Sequence, residues 1–497
     1  MHFSIPDTQE FYNEATGSTY TGYNIYINGN FHCCLRYKQL HSLHEQLKRS
    51  LSSLELPPFP PKKLLPLTQN QLEHRRSCLE RYVQLIGQDP VFSKSDLLRT
   101  FLLNAQQESS CIETRETILD VYLMNNYRIP VNGYTTECST KILEKACHNI
   151  DLPSEYTYYF SLFLMRKERD GRVTLIRKLM DFESPYISQR IIDDCKIVIR
   201  KSYWDPRYDL QLMQDNIALN LLYIQTVSDI ECDWIIATQD VKDQMASLQD
   251  RGNKKEYLEI ARKLPSYGTI QFSNAVVDYP EPNTVATIVI GNKELSIRTN
   301  VGMKIQETKF KVTRMRCWRV TTIHNNEEVS SNSSIESQIQ NLELSFEYLM
   351  TKNCLKWITI SSEQAMLMSV CLQGMVDELL NQKDGNEYFN AKIQCTNVTP
   401  LSYIRRDGGV NHRISESSSS DTISSLVSKQ TILKRLYCNK NRYFLIQNDI
   451  DMPIQSPSES FSMRNKIRKK ISTTVFFKNG RESVQNEAFE GIGDDDL

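Results

Sequence analysis

Four of the five prolines in the segment LPPFPPKKLLPL crowd its first half, at Pro57, Pro58, Pro60 and Pro61. Each ring fixes φ at about −65° and removes a backbone N–H, so neither a helix interior nor a central strand can run through this stretch. An extended, polyproline-like loop is the conformation left. The flanking sequence must then be organised around it. Upstream, YNIYINGNFHCCLRYKQL alternates polar and apolar residues about Asn28-Gly29, a dipeptide suited to the positive φ of a tight hairpin turn. A helix through LHSLHEQLKR follows. Downstream, QNQLEHRRSCLERYVQLIG reads as a second helix carrying Arg75, Arg76 and Arg81. Lys62, Lys63, Leu64, Leu65 and Leu67 stand directly beyond the prolines, so basic and apolar side chains share one constrained loop.

A chain of 497 residues is too long for one core, and the periodicity changes several times along it. TILDVYLMNNYRIPVNG predicts another hairpin. In CSTKILEKACHNI, Ile142, Leu143, Ala146 and Ile150 share a helical face, and YYFSLFLM and CKIVIRK predict strands. From Pro206 the period becomes 3.6 in MQDNIALNLLYIQTVSDI and KKEYLEIARKL, which predicts a small helical lobe. From Gly268 strands return: GTIQFSNAVVDY, TVATIVIGNKELSIRT, FKVTRMRCWRVTTI, LELSFEYL and LKWITIS. They end in a helix, SSEQAMLMSVCLQGMVDELL, where Ser361 and Gln364 have capping-box spacing and Ala365, Met368, Leu372, Met375 and Leu379 form a core stripe. Beyond about Asp384 the sequence is Ser- and Asn-rich and predicts a largely disordered tail.

Catalytic signatures are missing from the sequence. It has no G-x-G-x-x-G, no G-x-x-x-x-G-K-[ST], no H-E-x-x-H and no G-x-S-x-G, so an enzyme reading has no anchor. His41 and His44 have metal-ligand spacing but no third ligand nearby, and a solvated helix face is expected instead. The thirteen cysteines are scattered without a C-x-x-C pair, which favours reduced thiols in a cytoplasmic setting. A net charge of −1 gives no electrostatic signature for nucleic acid. No apolar run is long enough to span a bilayer, and the start lacks the features of a signal peptide.

The hairpin, helix, proline loop and second helix together resemble a PX domain, the phosphoinositide-binding module of sorting nexins. Arg36-Tyr37 matches the R-Y motif of that family. Leu56-Pro57-x-x-Pro60-x-Lys62 matches its proline loop, and Arg75 stands where it has a second arginine. The resemblance implies that Arg36 holds the 3-phosphate of phosphatidylinositol 3-phosphate, Tyr37 packs beside the inositol ring, Lys62 meets the 1-phosphate and Arg75 contacts ring hydroxyls. Guanidinium forks suit bidentate phosphate recognition, whereas an ammonium acts as a point charge. Leu64 and Leu65 are expected to enter the acyl layer.

The three later regions, in their order, resemble a FERM module with ubiquitin-like, helical and PTB/PH-like lobes. PX followed by FERM resembles one subfamily of sorting nexins. The expected fold is therefore α+β and multidomain: PX domain at 1–108, ubiquitin-like lobe at 110–202, helical lobe at 203–267, PTB/PH-like lobe at 268–384, and a tail at 385–497. The resemblance implies a third lobe that takes NPxY or NxxY motifs of receptor tails by adding a strand to a sheet edge. Trp318 on the edge strand, with Val376 and Leu380 on the closing helix, would line that groove. The resemblance also implies an endosomal adaptor that returns cargo to the cell surface, cytoplasmic and peripheral on early endosomes. It would be a monomer with no cofactor. The end of the chain, NEAFEGIGDDDL, would be accepted by the retriever complex through Ile492, Asp496 and Leu497. Asn486 and Phe489 spell N-x-x-F and would let the tail enter its own groove when cargo is absent. A rival reading is a lipid-regulated FERM scaffold linking membrane to cytoskeleton or signalling proteins; it calls for a basic actin-binding helix, which the acidic terminus does not supply.

Overall fold

The computed structural model describes residues 1–13, 17–50, 55–63, 65–169, 171–192, 194–301, 304–324, 341–351, 354–383, 402–406, 410–412 and 467–469. In the first lobe, β1 (Phe3–Ser4) and β2 (Thr8–Asn13) pair with successive stretches of β3 (Ser18–Ile27), and β4 (Asn30–Arg36) pairs with β3 as the hairpin. Asn28 and Gly29 both take positive φ, 49° and 76°, the demand of a tight turn that this dipeptide meets at little steric cost. Helices α1 (Tyr37–Ser50), α2 (Gln69–Gln88), α3 (Pro90–Ser93) and α4 (Asp96–Ser110) close the lobe. Thr68 and Gln71 start α2 with a reciprocal capping box. Residues 55–63 run between α1 and α2 without regular structure, as the prolines require. The core gathers Tyr23, Ile25, Leu35, Leu40, Leu43, Leu79, Tyr82 and Phe101.

The second lobe is a mixed sheet in the order β6-β5-β9-β7-β8: β5 (Glu116–Tyr122), β6 (Arg128–Tyr134), β7 (Phe160–Lys167), β8 (Val173–Lys178) and β9 (Cys195–Lys201). Its helices are α5 (Ser139–His148), α6 (Ser154–Thr157) and α7 (Pro185–Arg190), and the central pair β5–β9 is parallel. β8 adds to the strands expected; its charged residues hide the alternation. Phe182 joins the first lobe's core, and Gln106 exchanges hydrogen bonds with Ser184 N–H (2.7 Å) and the Ser188 hydroxyl (3.0 Å), which fixes the first two lobes against each other.

The helical lobe contains α8 (Asp209–Leu212), α9 (Asn216–Glu231), α10 (Gln239–Asp250) and α11 (Lys254–Ala261). A buried bidentate pair, Arg200 to Asp229 at 2.9 and 3.2 Å, ties α9 to β9. The last lobe holds β10 (Ile270–Val277), β11 (Thr284–Gly291), β12 (Glu294–Val301), β13 (Lys304–Lys311), β14 (Met315–His324), β15 (Asn341–Thr351) and β16 (Cys354–Ser361), closed by α12 (Ala365–Lys383). Ala365, Met368, Leu372 and Met375 are buried against the sheet as the stripe predicts. The expected capping box does not form. Ser361 ends β16 and its hydroxyl donates to Glu343, while the Gln364 amide reaches the Leu175 carbonyl of β8.

The tail is not wholly without structure. β17 (Ser402–Ile404) and β18 (Val410–His412) form a hairpin, and Tyr403 belongs to the core of the first lobe. β19 (Ile467–Lys469) lies antiparallel to residues 322–324 of β14 at the rim of the last sheet. The composition of the tail conceals both, because their packing partners lie in lobes distant in sequence.

Candidate functional site

Two arginines flank the proline loop, each stacked on a tyrosine. Arg36, the last residue of β4, sets its guanidinium 3.9 Å from the ring centroid of Tyr20 on β3. Arg75 of α2 lies 4.5 Å from the ring of Tyr37, and its Nη2 donates to the Pro61 carbonyl at 3.5 Å. Stacking fixes the plane of a guanidinium while its N–H edges remain able to meet an anion. Lys62 is exposed on the same loop, and Leu65 is 81 % exposed. Leu64 lies outside the described residues.

Tyr37 does more than the expected packing beside a ring. Its hydroxyl donates to the Pro60 carbonyl at 2.8 Å and its ring meets Phe59 at 5.6 Å, so it braces the loop from below. Burial raises its phenol pKa and Arg75 opposes that rise, so the hydroxyl remains a donor at neutral pH. Arg76 is occupied elsewhere, by Glu73 at 2.6 Å and Glu80 at 3.0 Å. His41 and His44 are half-buried rather than solvated: both rings pack on Phe59, at 5.7 and 4.8 Å, which explains their spacing as aromatic packing. Tyr20 was not distinguishable in the sequence, since its role depends on the pairing of β3 with β4.

The second candidate site is the rim of the last lobe, where β14 pairs with β15 along one side. On the other side β19 covers only 322–324, and among the described residues no strand pairs with 315–321 there. That edge can accept an extended peptide. Trp318 does not face the groove as expected. It lies on this strand, but its ring is 0 % exposed, turned into the core opposite Phe346, with Nε1–H donating to the Ser369 hydroxyl of α12 at 3.0 Å. Alternation along β14 puts Trp318 and Val320 inward, so an added strand would meet backbone here rather than the indole. Val376 is likewise buried, 3 % exposed, because the buried apolar arc of α12 is wider than the stripe from Ala365 to Leu379. Leu380, one turn further on, is 48 % exposed and is the one of the three whose side chain reaches the surface. Asn486, Phe489, Ile492, Asp496 and Leu497 lie outside the described residues.

No helix among the described residues is long and apolar enough to cross a membrane, and no cluster of three or more His, Cys, Asp or Glu side chains there could hold a metal ion. A headgroup-type basic site on a small α/β lobe, joined to three lobes ending in a sheet closed by one helix, defines a PX-FERM protein. Family profiles match in that order: PX domain at 23–105, the F1 lobe of the sorting nexin 17/27/31 FERM domain at 117–204, the sorting nexin 17/31 F2 lobe at 205–265, and the sorting nexin 17 FERM C-terminal domain at 268–380.

The chain belongs to the sorting nexin family. It is 40 % identical to rat (Rattus norvegicus) sorting nexin-17 over 512 residues and 39 % identical to human (Homo sapiens) sorting nexin-17 over 511 residues, with all of each chain covered. It is 35 % identical to human sorting nexin-31 over 381 residues, covering 76 % of this chain and 86 % of that protein.

Proposed function

We propose that the protein is an endosomal cargo adaptor. Its first lobe takes phosphatidylinositol 3-phosphate in the membrane, and its last lobe takes NPxY or NxxY peptides from receptor tails on the open edge of β14. The observation that carries this reading is the pair of stacked arginines at the proline loop, with Lys62 and Leu65 exposed beside them. That combination suits a phosphorylated headgroup at a membrane: cations for phosphate and an apolar side chain for the acyl layer. Each contact is weak alone, and tethering through one raises the effective concentration at the other, so recruitment requires lipid and cargo together. The acidic terminus supplies a third contact, to the retriever complex, which sends cargo back to the cell surface. These roles follow from kinship with sorting nexin-17 and from the chemistry of the two sites.

The test is flotation of the full chain with phosphatidylcholine vesicles containing phosphatidylinositol 3-phosphate. Arg36→Gln should lower the bound fraction at least tenfold, about 1.4 kcal/mol, the low end for a lost charge-assisted phosphate contact. Normal flotation by the variant would remove the headgroup assignment.

A further inference from the structure

The tail hairpin touches the headgroup site itself. Arg36 Nη1 donates to the backbone carbonyl of Arg406 at 2.8 Å, across 370 positions of sequence. A second route reaches the Arg36 backbone: its N–H donates to Gln39 Oε1 at 2.9 Å, and Gln39 Nε2 donates to the Ile404 carbonyl at 3.0 Å and to Glu108 at 2.8 Å. Gln39 is only 1 % exposed, so its amide depends on these partners.

The segment is anchored as part of the lobe. Gln46 exchanges two hydrogen bonds with the Ser402 backbone, at 2.8 and 3.0 Å. The Tyr403 ring, 3 % exposed, packs on Phe101 at 5.4 Å and its hydroxyl donates to Glu108 at 2.8 Å. Glu108 also accepts from the Arg406 N–H at 2.6 Å, and the Arg406 guanidinium donates to Ser109 at 3.0 Å. Burial and then Glu108 push the Tyr403 phenol pKa up, which keeps it the donor in that bond.

Resting on the headgroup reading above, we propose that residues 402–406 form a clasp that positions Arg36 for the 3-phosphate, making this piece of the tail part of the lipid site. A single carbonyl occupies Nη1 and fixes the guanidinium plane that Tyr20 stacks upon. Among the described residues, Nε and Nη2 of Arg36 have no partner, and that edge is the one a phosphate would take bidentately. Without the clasp the guanidinium must be ordered when lipid binds, and affinity falls by that cost. Tyr403, Ile404 and Arg406 are thus positioning residues that act through Arg36.

The experiment compares full-length Tyr403→Ala, Tyr403→Phe, a deletion of residues 402–412, and Arg36→Gln. Binding is measured on phosphatidylcholine vesicles carrying phosphatidylinositol 3-phosphate and on vesicles of matched charge carrying phosphatidylserine. Tyr403→Ala and the deletion should weaken binding to the 3-phosphate vesicles about tenfold, leave the phosphatidylserine vesicles unchanged, and speed amide exchange at residues 33–37. Tyr403→Phe keeps the ring on Phe101 and should retain most of the affinity. A general loss of folding would reduce both vesicle types together, and it overturns the proposal only if the deletion, which leaves the first lobe's own sequence intact, does the same. Unchanged affinity in both clasp variants while Arg36→Gln fails to bind overturns the clasp alone. Tighter binding in the clasp variants overturns it in favour of a cover over the site. Retained 3-phosphate preference in Arg36→Gln overturns the headgroup reading and the clasp together.

Discussion

Replacing Trp318 by alanine tests what the indole does at the rim of the last lobe. The ring is fully buried, opposite Phe346 in the strand register, and its N–H satisfies the Ser369 hydroxyl. Truncating a fully buried tryptophan costs about 4 kcal/mol in lost transfer energy and cavity formation, and the abandoned hydroxyl adds a further ~1 kcal/mol. A lobe whose net stability is about 5 to 15 kcal/mol could lose a third or more of it. With an m-value of about 2 kcal/mol per M, the urea midpoint should fall by about 2.5 M. Hydrogen exchange of β14 and β15 amides at graded urea separates this lobe from the others, and calorimetry with an NPxY peptide gives affinity under conditions where the lobe remains folded. If the ring acts from within, by holding β14 flat on α12, stability and affinity fall together and Trp318→Phe recovers much of both. A urea profile superimposed on that of the unmodified protein, with peptide affinity lost by a hot-spot increment of about 2 kcal/mol, would refute the burial reasoning and make the indole a direct contact.

Other perturbations separate the proline loop from the core. Leu65→Asp removes an exposed apolar side chain and should reduce flotation roughly tenfold, consistent with about 1.5 kcal/mol or more for burying a leucine, while thermal stability stays the same. His2 is buried, and burial, then the nearby N-terminal ammonium, hold its pKa down at about 3, against an ordinary 6.5. The folded state therefore binds fewer protons: the contribution to stability is complete above pH 6.5 and is lost as pH falls towards 3, with a slope of about 1.4 kcal/mol per pH unit. Melts at pH 7, 6 and 5 should fall more steeply for the unmodified protein than for His2→Leu; parallel falls would show that His2 becomes protonated without unfolding cost.

Much of the first lobe is readable in local sequence. Asn28-Gly29 sets the hairpin, the four prolines set an irregular loop, and Thr68 with Gln71 start the next helix, because each acts within a few residues through backbone sterics or a cap. The core stripe of α12 is readable for the same reason. Periodicity was less decisive for Val376, which it could place equally in a groove or in a core, and the choice is made by how widely the sheet covers the helix. Trp318 shows the same limit: alternation gives its strand and its two possible faces, and only the neighbours that pack around it decide which face is inward.

The sequence by itself determined the order of lobes, the turn, the proline loop and the basic residues beside it, since all depend on dihedral preferences and periodicities expressed over short stretches. Only the tertiary structure decided which cations are available, pairing Arg76 with glutamates while stacking Arg36 and Arg75 on tyrosines. It also decided that a Ser-rich tail contributes Tyr403 and Arg406 to the first lobe. Contacts across hundreds of residues depend on matching shapes and hydrogen-bond partners that exist only once both surfaces have formed, and the entropy of closing so long a loop grows too slowly with length to forbid them.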